Sequence, residues 1–269
     1  MEKTRRLRYG SFSPRRLRTR QLMEKTINKQ GHFDFVEIGT SYWGTLSGGE
    51  IWSWLPDVCY PRGVAVEPVR EYLAKLRKKV KRNKQKRDWF VDVKFVNAAI
   101  GKTSKCSILY LIPPKMLKEL GQLKCPWYNG NGERCRVPVA WYAPSMSSVG
   151  EPHPELVWML ECINKVALLS FRKIRMFSWG DLCRRVGLVS VDVVKIDAEG
   201  MDCEIVASLL EHCHDHPAGY PRIIMFEAND LSDSTNIQET IETLERLGYT
   251  VWRKKNDVIA QWCSVRTWR

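Results

Sequence analysis

The run Val191-Asp192-Val193-Val194-Lys195-Ile196-Asp197-Ala198-Glu199-Gly200 restricts the folds open to this chain more than any other stretch. Its β-branched half reads as a strand covered on both faces, as strands of a parallel sheet are. A lysine inside such a run calls for an anion, because an ammonium is costly to strip of water alone. Asp197 and Glu199 arrive at the carboxyl end, just before Gly200 lets the chain turn. Ligands of open α/β sheets bind outside the carboxyl ends of their strands. Lys195, Asp197 and Glu199 thus stand where chemistry is expected, the plainer alternative being a structural ion pair beside a solvated turn.

Other segments repeat the pattern. His32 to Ser41 reads as a strand ending in Glu37 with a turn at Gly39, and Gly63 to Pro68 as a short strand ending in Glu67. Val91 to Ile100 is a third strand, Ser107 to Ile112 a further extended segment, and Pro221 to Asn229 another buried strand closing on Glu227 and Asn229. Helices are expected near 19–30, around Trp52 to Leu55, at 69–86, 156–171, 201–213 and 234–247, with Ser178 capping one more. A strand at Ile174 to Phe177 precedes that cap. Tyr249 to Arg253 and Val258 to Trp262, joined at Asn256-Asp257, read as an antiparallel hairpin. Strands alternating with helices give a doubly wound, mostly parallel α/β sheet with that hairpin at its end. Between 115 and 155 periodicity is lost while Pro, Gly and aromatics (Trp127, Tyr128, Trp141, Tyr142) accumulate, which suggests a lid. The organisation expected is a basic extension and lead-in helix over 1–30, then one domain over 31–269 with a lid or insertion at about 105–155.

Charge is uneven. The chain carries +13, yet residues 1–20 alone hold +7 and residues 75–87 hold +9, so the remainder is slightly acidic. That argues against a nucleic-acid-binding fold as such, but leaves 1–20 and 75–87 as surfaces for a phosphate polymer. The arm also reads as a solvated tail or an organelle transit peptide, and the 75–87 run as the solvated face of a helix. No apolar run is long enough to span a membrane. Nine cysteines without a C-x-x-C pair suggest free thiols in a reducing compartment, hence a cytoplasmic location; Cys125 and Cys135, flanking a Gly/Asn loop, are the one pair placed to bridge.

Glu37 with Gly39 lets backbone approach a ligand at the first strand, and Glu67 stands where an acid accepts hydrogen bonds from ribose hydroxyls. Together they imply a nucleoside ligand. A dinucleotide is disfavoured, because Tyr42 and Trp43 sit where a G-x-G-x-x-G turn needs glycine and Glu37 would repel a pyrophosphate. S-adenosylmethionine, with its ammonium and sulfonium, suits an acid there. Asp197 or Glu199, helped by Glu227, are candidate bases for a hydroxyl acceptor, with Lys195 holding one acid ionised. His153, between two prolines in the lid, is a further candidate base or substrate contact. Asp197, Glu227 and Asn229 could instead hold a divalent ion, a reading not favoured. The His212-Cys213-His214-Asp215-His216 run lacks a second cluster to complete a metal site.

With these motifs in order, the chain resembles an FkbM-type methyltransferase of the class I S-adenosylmethionine-dependent, Rossmann-like fold. The resemblance covers about 33–262. It is carried by Val191 to Gly200, Asp202-Cys203-Glu204-Ile205, Val36 to Ser41, Val66-Glu67-Pro68, Asn97 to Gly101 and Phe226 to Asn229. It implies a seven-stranded sheet, and methyl transfer to an oxygen on a sugar, glycan or small natural product. It also implies donor contacts from Glu37, Gly39, Thr40, Ser41, Glu67, Pro68, Asn97 and Ala98. The family's D-x-G-x-N-x-G turn appears here as Glu37-x-Gly39-x-Ser41-x-Trp43. The basic arm and helix depart from the family, so an RNA-modifying enzyme is the alternative, with a non-catalytic cofactor-binding relative as a third reading.

Overall fold

Alternation along each strand decides which helices it meets. In β1 (His32–Ile38) Phe35 and Val36 point to opposite faces, and both are at most 2% exposed, so this strand is covered on both sides. The computed structural model describes residues 32–41, 60–86, 92–121, 123–128, 134–143, 146–228, 231–254 and 256–262. The basic arm, the lead-in helix, the stretch around Trp52 to Leu55 and Asn229 lie outside the described residues, as do the side chains of Trp127, Tyr128, Trp141 and Tyr142.

From β1 the chain continues through β2 (Tyr60–Val66), α1 (Arg70–Lys86), β3 (Asp92–Val96), β4 (Ala99–Ile100) and β5 (Lys105–Leu111). A hairpin, β6 (Lys124–Tyr128) and β7 (Arg134–Pro138), leads to the short α2 (Val139–Tyr142) and β8 (Ser148–Val149). Then come α3 (Pro154–Cys162), β9 (Ser170–Phe177), α4 (Trp179–Val186), β10 (Val193–Ile196) and α5 (Asp202–Asp215). The chain closes with β11 (Ile223–Glu227), α6 (Ser234–Arg246), β12 (Tyr249–Lys254) and β13 (Asp257–Trp262).

Seven of these strands form the main sheet in the order β3-β2-β1-β10-β11-β13-β12, with β13 antiparallel to its neighbours on both sides. This is the expected doubly wound, mostly parallel α/β sheet with a terminal hairpin. Winding reverses between β1 and β10, which pair in parallel with Glu37 opposite Lys195. One face carries Val36, Val64 and Val194 against Trp179 and Leu182 of α4 and Ile205 of α5. The other carries Phe35, Ala65 and Val193 against Leu76 and Val80 of α1. Each fully buried aliphatic side chain there contributes about 1.5–3 kcal/mol. The expected Ser178 cap is present: the Asp181 N–H donates to its Oγ at 3.2 Å, and Gly187 at φ 67° ends α4.

Three expectations are corrected. The 91–100 strand is two strands, because Asn97 Nδ2 donates to the carbonyls of Glu67 and Pro68, both at 2.9 Å, and turns the chain out of the main sheet. Its second piece joins a separate four-stranded sheet, β4-β9-β5-β8. The expected helix over 156–171 stops at Cys162; Asn164 takes the left-handed conformation (φ 53°), and Phe171 lies in β9 instead. The lack of regular pattern expected over 115–155 is the third, since the described residues there form a hairpin and helices. Its hairpin and α3 share a core in which Leu120, Cys125, Val139, Leu156, Met159 and Leu160 are fully covered.

In the β6–β7 hairpin Cys125 faces Val137 while Cys135 faces Trp127, so the two cysteines are out of register, and Cys125 is a thiol. Burial pushes the Cys183 and Cys213 thiols up to about 11 and about 12, so they pack as small apolar residues. Among the described residues no helix is long and apolar enough to cross a membrane.

Candidate functional site

At the carboxyl ends of β1 and β10 two turns are pressed together. Gly39, at φ 74°, brings its Cα so close that an added Cβ would sit 1.7 Å from the carbonyl oxygen of Asp197. No other residue fits there without moving one turn. The Gly39 and Thr40 N–H groups both donate to the Val66 carbonyl, at 3.1 and 3.4 Å, which ties this turn to the end of β2.

Glu67 follows β2 immediately and is 4% exposed. One carboxylate oxygen accepts the Ser41 N–H at 2.7 Å and the other the Val69 N–H at 2.8 Å. Burial pushes its carboxyl up to about 7 despite those two donors. One side chain therefore fixes both the Gly39 turn and the start of α1.

Around Asp197 the site is crowded with acids. Lys195 Nζ lies 3.2 Å from Asp197 Oδ2 and 4.0 Å from Glu37 Oε1, and Glu37 is 1% exposed. Burial pulls the Lys195 ammonium down, but the Asp197 and Glu37 carboxylates more than offset it, so its net shift is upward. Glu199, held at φ 50°, is pushed upward mainly by burial, with Asp197 adding to it; His153 Nε2 lies 3.4 Å from its Oε2 and works the other way. The His153 ring is almost wholly buried, and its Nδ1 accepts the Glu155 N–H at 3.2 Å, capping α3. That assigns the ring proton to Nε2, facing Glu199. Glu227 is pushed up to about 8, first by burial and then by Asp197, Glu199 and Asp202.

Asp202, fully buried, carried part of the resemblance in sequence but was given no role in the site. It accepts the Ala198 N–H at 3.3 Å and the Glu227 N–H at 3.2 Å, joining the turn after β10 to the end of β11. Burial, with Asp197 adding to it, pushes its carboxyl up to about 7. Its signal was a third acid at the start of a helix, two residues after Gly200.

Of the residues expected to bind the donor, Gly39, Ser41, Glu67, Pro68 and Ala98 line one cleft that is open to solvent. Asp197 and Glu199 line the same cleft. Glu37, Thr40, Asn97, Lys195 and His153 do not line it; they hold backbone or charge around it. Ser147 and Val149, from the segment expected to be a lid, also line the cleft and were not foreseen.

Ligand atoms from Asp197, Glu199 and Glu227 come within 4.8 Å of one another, so the carboxylate group differs from the expected Asp197, Glu227 and Asn229 by the presence of Glu199. That is the one such group among the described residues. The His212 to His216 run does not assemble a second; it ends α5, with the His212 and His216 rings 4.6 Å apart.

No family model and no curated protein matches the chain. Solved structures do. One is the METTL16 MTase domain, at 12% identity and a TM-score of 0.43, with 95% of this chain and 71% of that one covered. Another is the N-terminal domain of human METTL16 in complex with SAH, at 12% and 0.39, covering 95% and 73%. A third is the O-methyltransferase NovP, at 11% and 0.38, covering 92% and 79%. At such values the likeness carries no argument, and the sheet order above carries the classification. The fold is class I methyltransferase-like.

Proposed function

We propose that this chain is an S-adenosylmethionine-dependent methyltransferase of FkbM type, acting on a hydroxyl of a sugar, glycan or small natural product. The observation that carries the reading is the joining of Gly39, Glu67 and Asp197 around one cleft at the point where sheet order reverses. An all-parallel dinucleotide fold would lack the antiparallel β13, and its three-glycine turn is missing here.

The residues present fit such a donor. Gly39 lines the cleft, and its missing Cβ lets the Asp197 turn lie against it. The hydroxyls of Ser41 and Ser147 are buried without a hydrogen-bond partner among the described residues, and both residues line the cleft. The surrounding carboxylates outnumber Lys195, which favours a cationic ligand. When bound, S-adenosylmethionine supplies an electrophilic methyl carbon on a sulfonium.

The chain's own groups do the rest. Glu67 keeps free lone pairs on both oxygens for ribose hydroxyls while its backbone bonds fix its position. Asp197, paired with Lys195, orients the acceptor. Glu199 takes the acceptor proton, since an upward-shifted carboxylate is the better base near neutrality. His153 is a positioning residue, because its assigned proton faces Glu199. In-line placement of acceptor and donor supplies much of the remaining rate enhancement.

The test is transfer of a radiolabelled methyl group to a panel of hydroxylated acceptors. Transfer that disappears in Glu199→Gln supports the reading. Transfer confined to nitrogen acceptors, and unaffected by Glu199→Gln, contradicts it.

A further inference from the structure

The second sheet has a face that the cleft does not use. Cys106 pairs across β5 and β9 with Arg175, Ile108 with Lys173, and Tyr110 with Phe171. Registered antiparallel partners project to the same side, so these six side chains share one face. The other face packs inward, where Leu109 and Leu111 meet Tyr72 of α1 and Val69 just before it, and Arg172 reaches Glu71 at 2.7 Å.

The outward face is not that of an ordinary solvated sheet. Phe171 is 67% exposed and Ile108 38%, and the Phe171 and Tyr110 rings lie 6.3 Å apart, tilted by 50°. Beside the rings, Lys173 and Arg175 are exposed and meet no acid among the described residues. Two residues apart on a strand, they are spaced by about 6.7 Å, so both can meet the backbone of one polyanion. Exposed rings, flanked by cations that meet no acid among the described residues, suit a polymer with π-faces and one negative charge per unit.

We infer that the outer face of the β5–β9 sheet is a docking platform for single-stranded nucleic acid. Bases stack on Phe171 and Tyr110, while Lys173 and Arg175 take the phosphates. The platform adjoins the cleft: Tyr110 pairs with Ser148 of β8, and the residues on either side of Ser148, Ser147 and Val149, line the cleft. The inference concerns binding and stands whatever the cleft accepts.

The experiment is fluorescence anisotropy of the full chain with a labelled 12-nucleotide oligouridine across a salt series. Phe171→Ala should weaken binding about tenfold, the loss of one stacked base. Lys173→Ala with Arg175→Ala should lower the salt slope by about 1.4, as loss of two phosphate contacts requires. Both sites are exposed, so circular dichroism should show the fold unchanged. A second pair, Lys78→Ala with Arg82→Ala on α1, should leave the Phe171 effect intact. Unchanged affinity in Phe171→Ala, with binding abolished by the α1 pair, would assign the polymer to the helix and overturn the inference. Heparin binding with the same dependence on Phe171 would overturn it as well, since a sulfated glycan offers no bases to stack.

Discussion

His153 caps α3 with one ring nitrogen and faces Glu199 with the other, so a single buried imidazole links the second core to the turn after β10. Its contact with Glu199 lowers a carboxyl that burial raises. His153→Ala removes the lowering influence, so Glu199 holds its proton to higher pH. The acid limb of the pH–rate profile of methyl transfer should move toward alkali, with activity at pH 7 falling about tenfold or more. A fall in rate without a moved limb would mean that the ring serves packing alone.

Glu67→Gln tests the double acceptor. A carboxamide offers one oxygen and one NH₂, so either the Ser41 or the Val69 N–H must face a donor. The expected cost is about 1–3 kcal/mol in chemical denaturation, together with loss of donor-product affinity. Unaltered stability would show that the two amide bonds are not maintained in solution.

Gly39→Ala should be more damaging than its single added carbon suggests. The new Cβ meets backbone rather than a movable side chain, and its φ of 74° disfavours alanine independently. A loss of about 2 kcal/mol or more is expected in urea denaturation. A fully stable variant would show that the turn after β10 gives way easily.

Acidity should stabilise the ligand-free protein. Glu67, Asp202 and Glu227 are raised to about 7, about 7 and about 8, from 4.5, 3.8 and 4.5. Between those limits the folded chain holds more protons than the unfolded one, so stability falls as pH rises. The contribution is fully present below about pH 4 and lost by about pH 8. Melting temperature should therefore drop from pH 5.5 to pH 8 in differential scanning fluorimetry. A flat or rising profile across that window would contradict the burial of these groups.

What could be read from the chain was what neighbours in sequence decide. A β-branched run ending in acid and glycine marks a strand of the main sheet, and Ser178 marks the start of α4, because both signals are local. The second sheet had no such mark. β5 pairs with β9 across many intervening residues, and nothing in Ser107 to Ile112 names its partner. Helical spacing over 156–171 misled for a related reason: Asn164 turns left-handed there, and Phe171 is claimed by cross-strand pairing. In the site, the acids were visible as strand ends, but not the work of Asp202 or His153, whose partners come from other elements. Glu67 looked like a ribose ligand; that it also pins two backbone segments depends on a turn geometry the sequence does not display.

Isothermal titration of the folded chain with S-adenosylhomocysteine bears most directly on the central claim. The account predicts one site with a dissociation constant below about 1 mM, lost in Glu67→Gln and in Gly39→Ala. Absence of heat, with no shift in melting temperature at millimolar ligand, would contradict it.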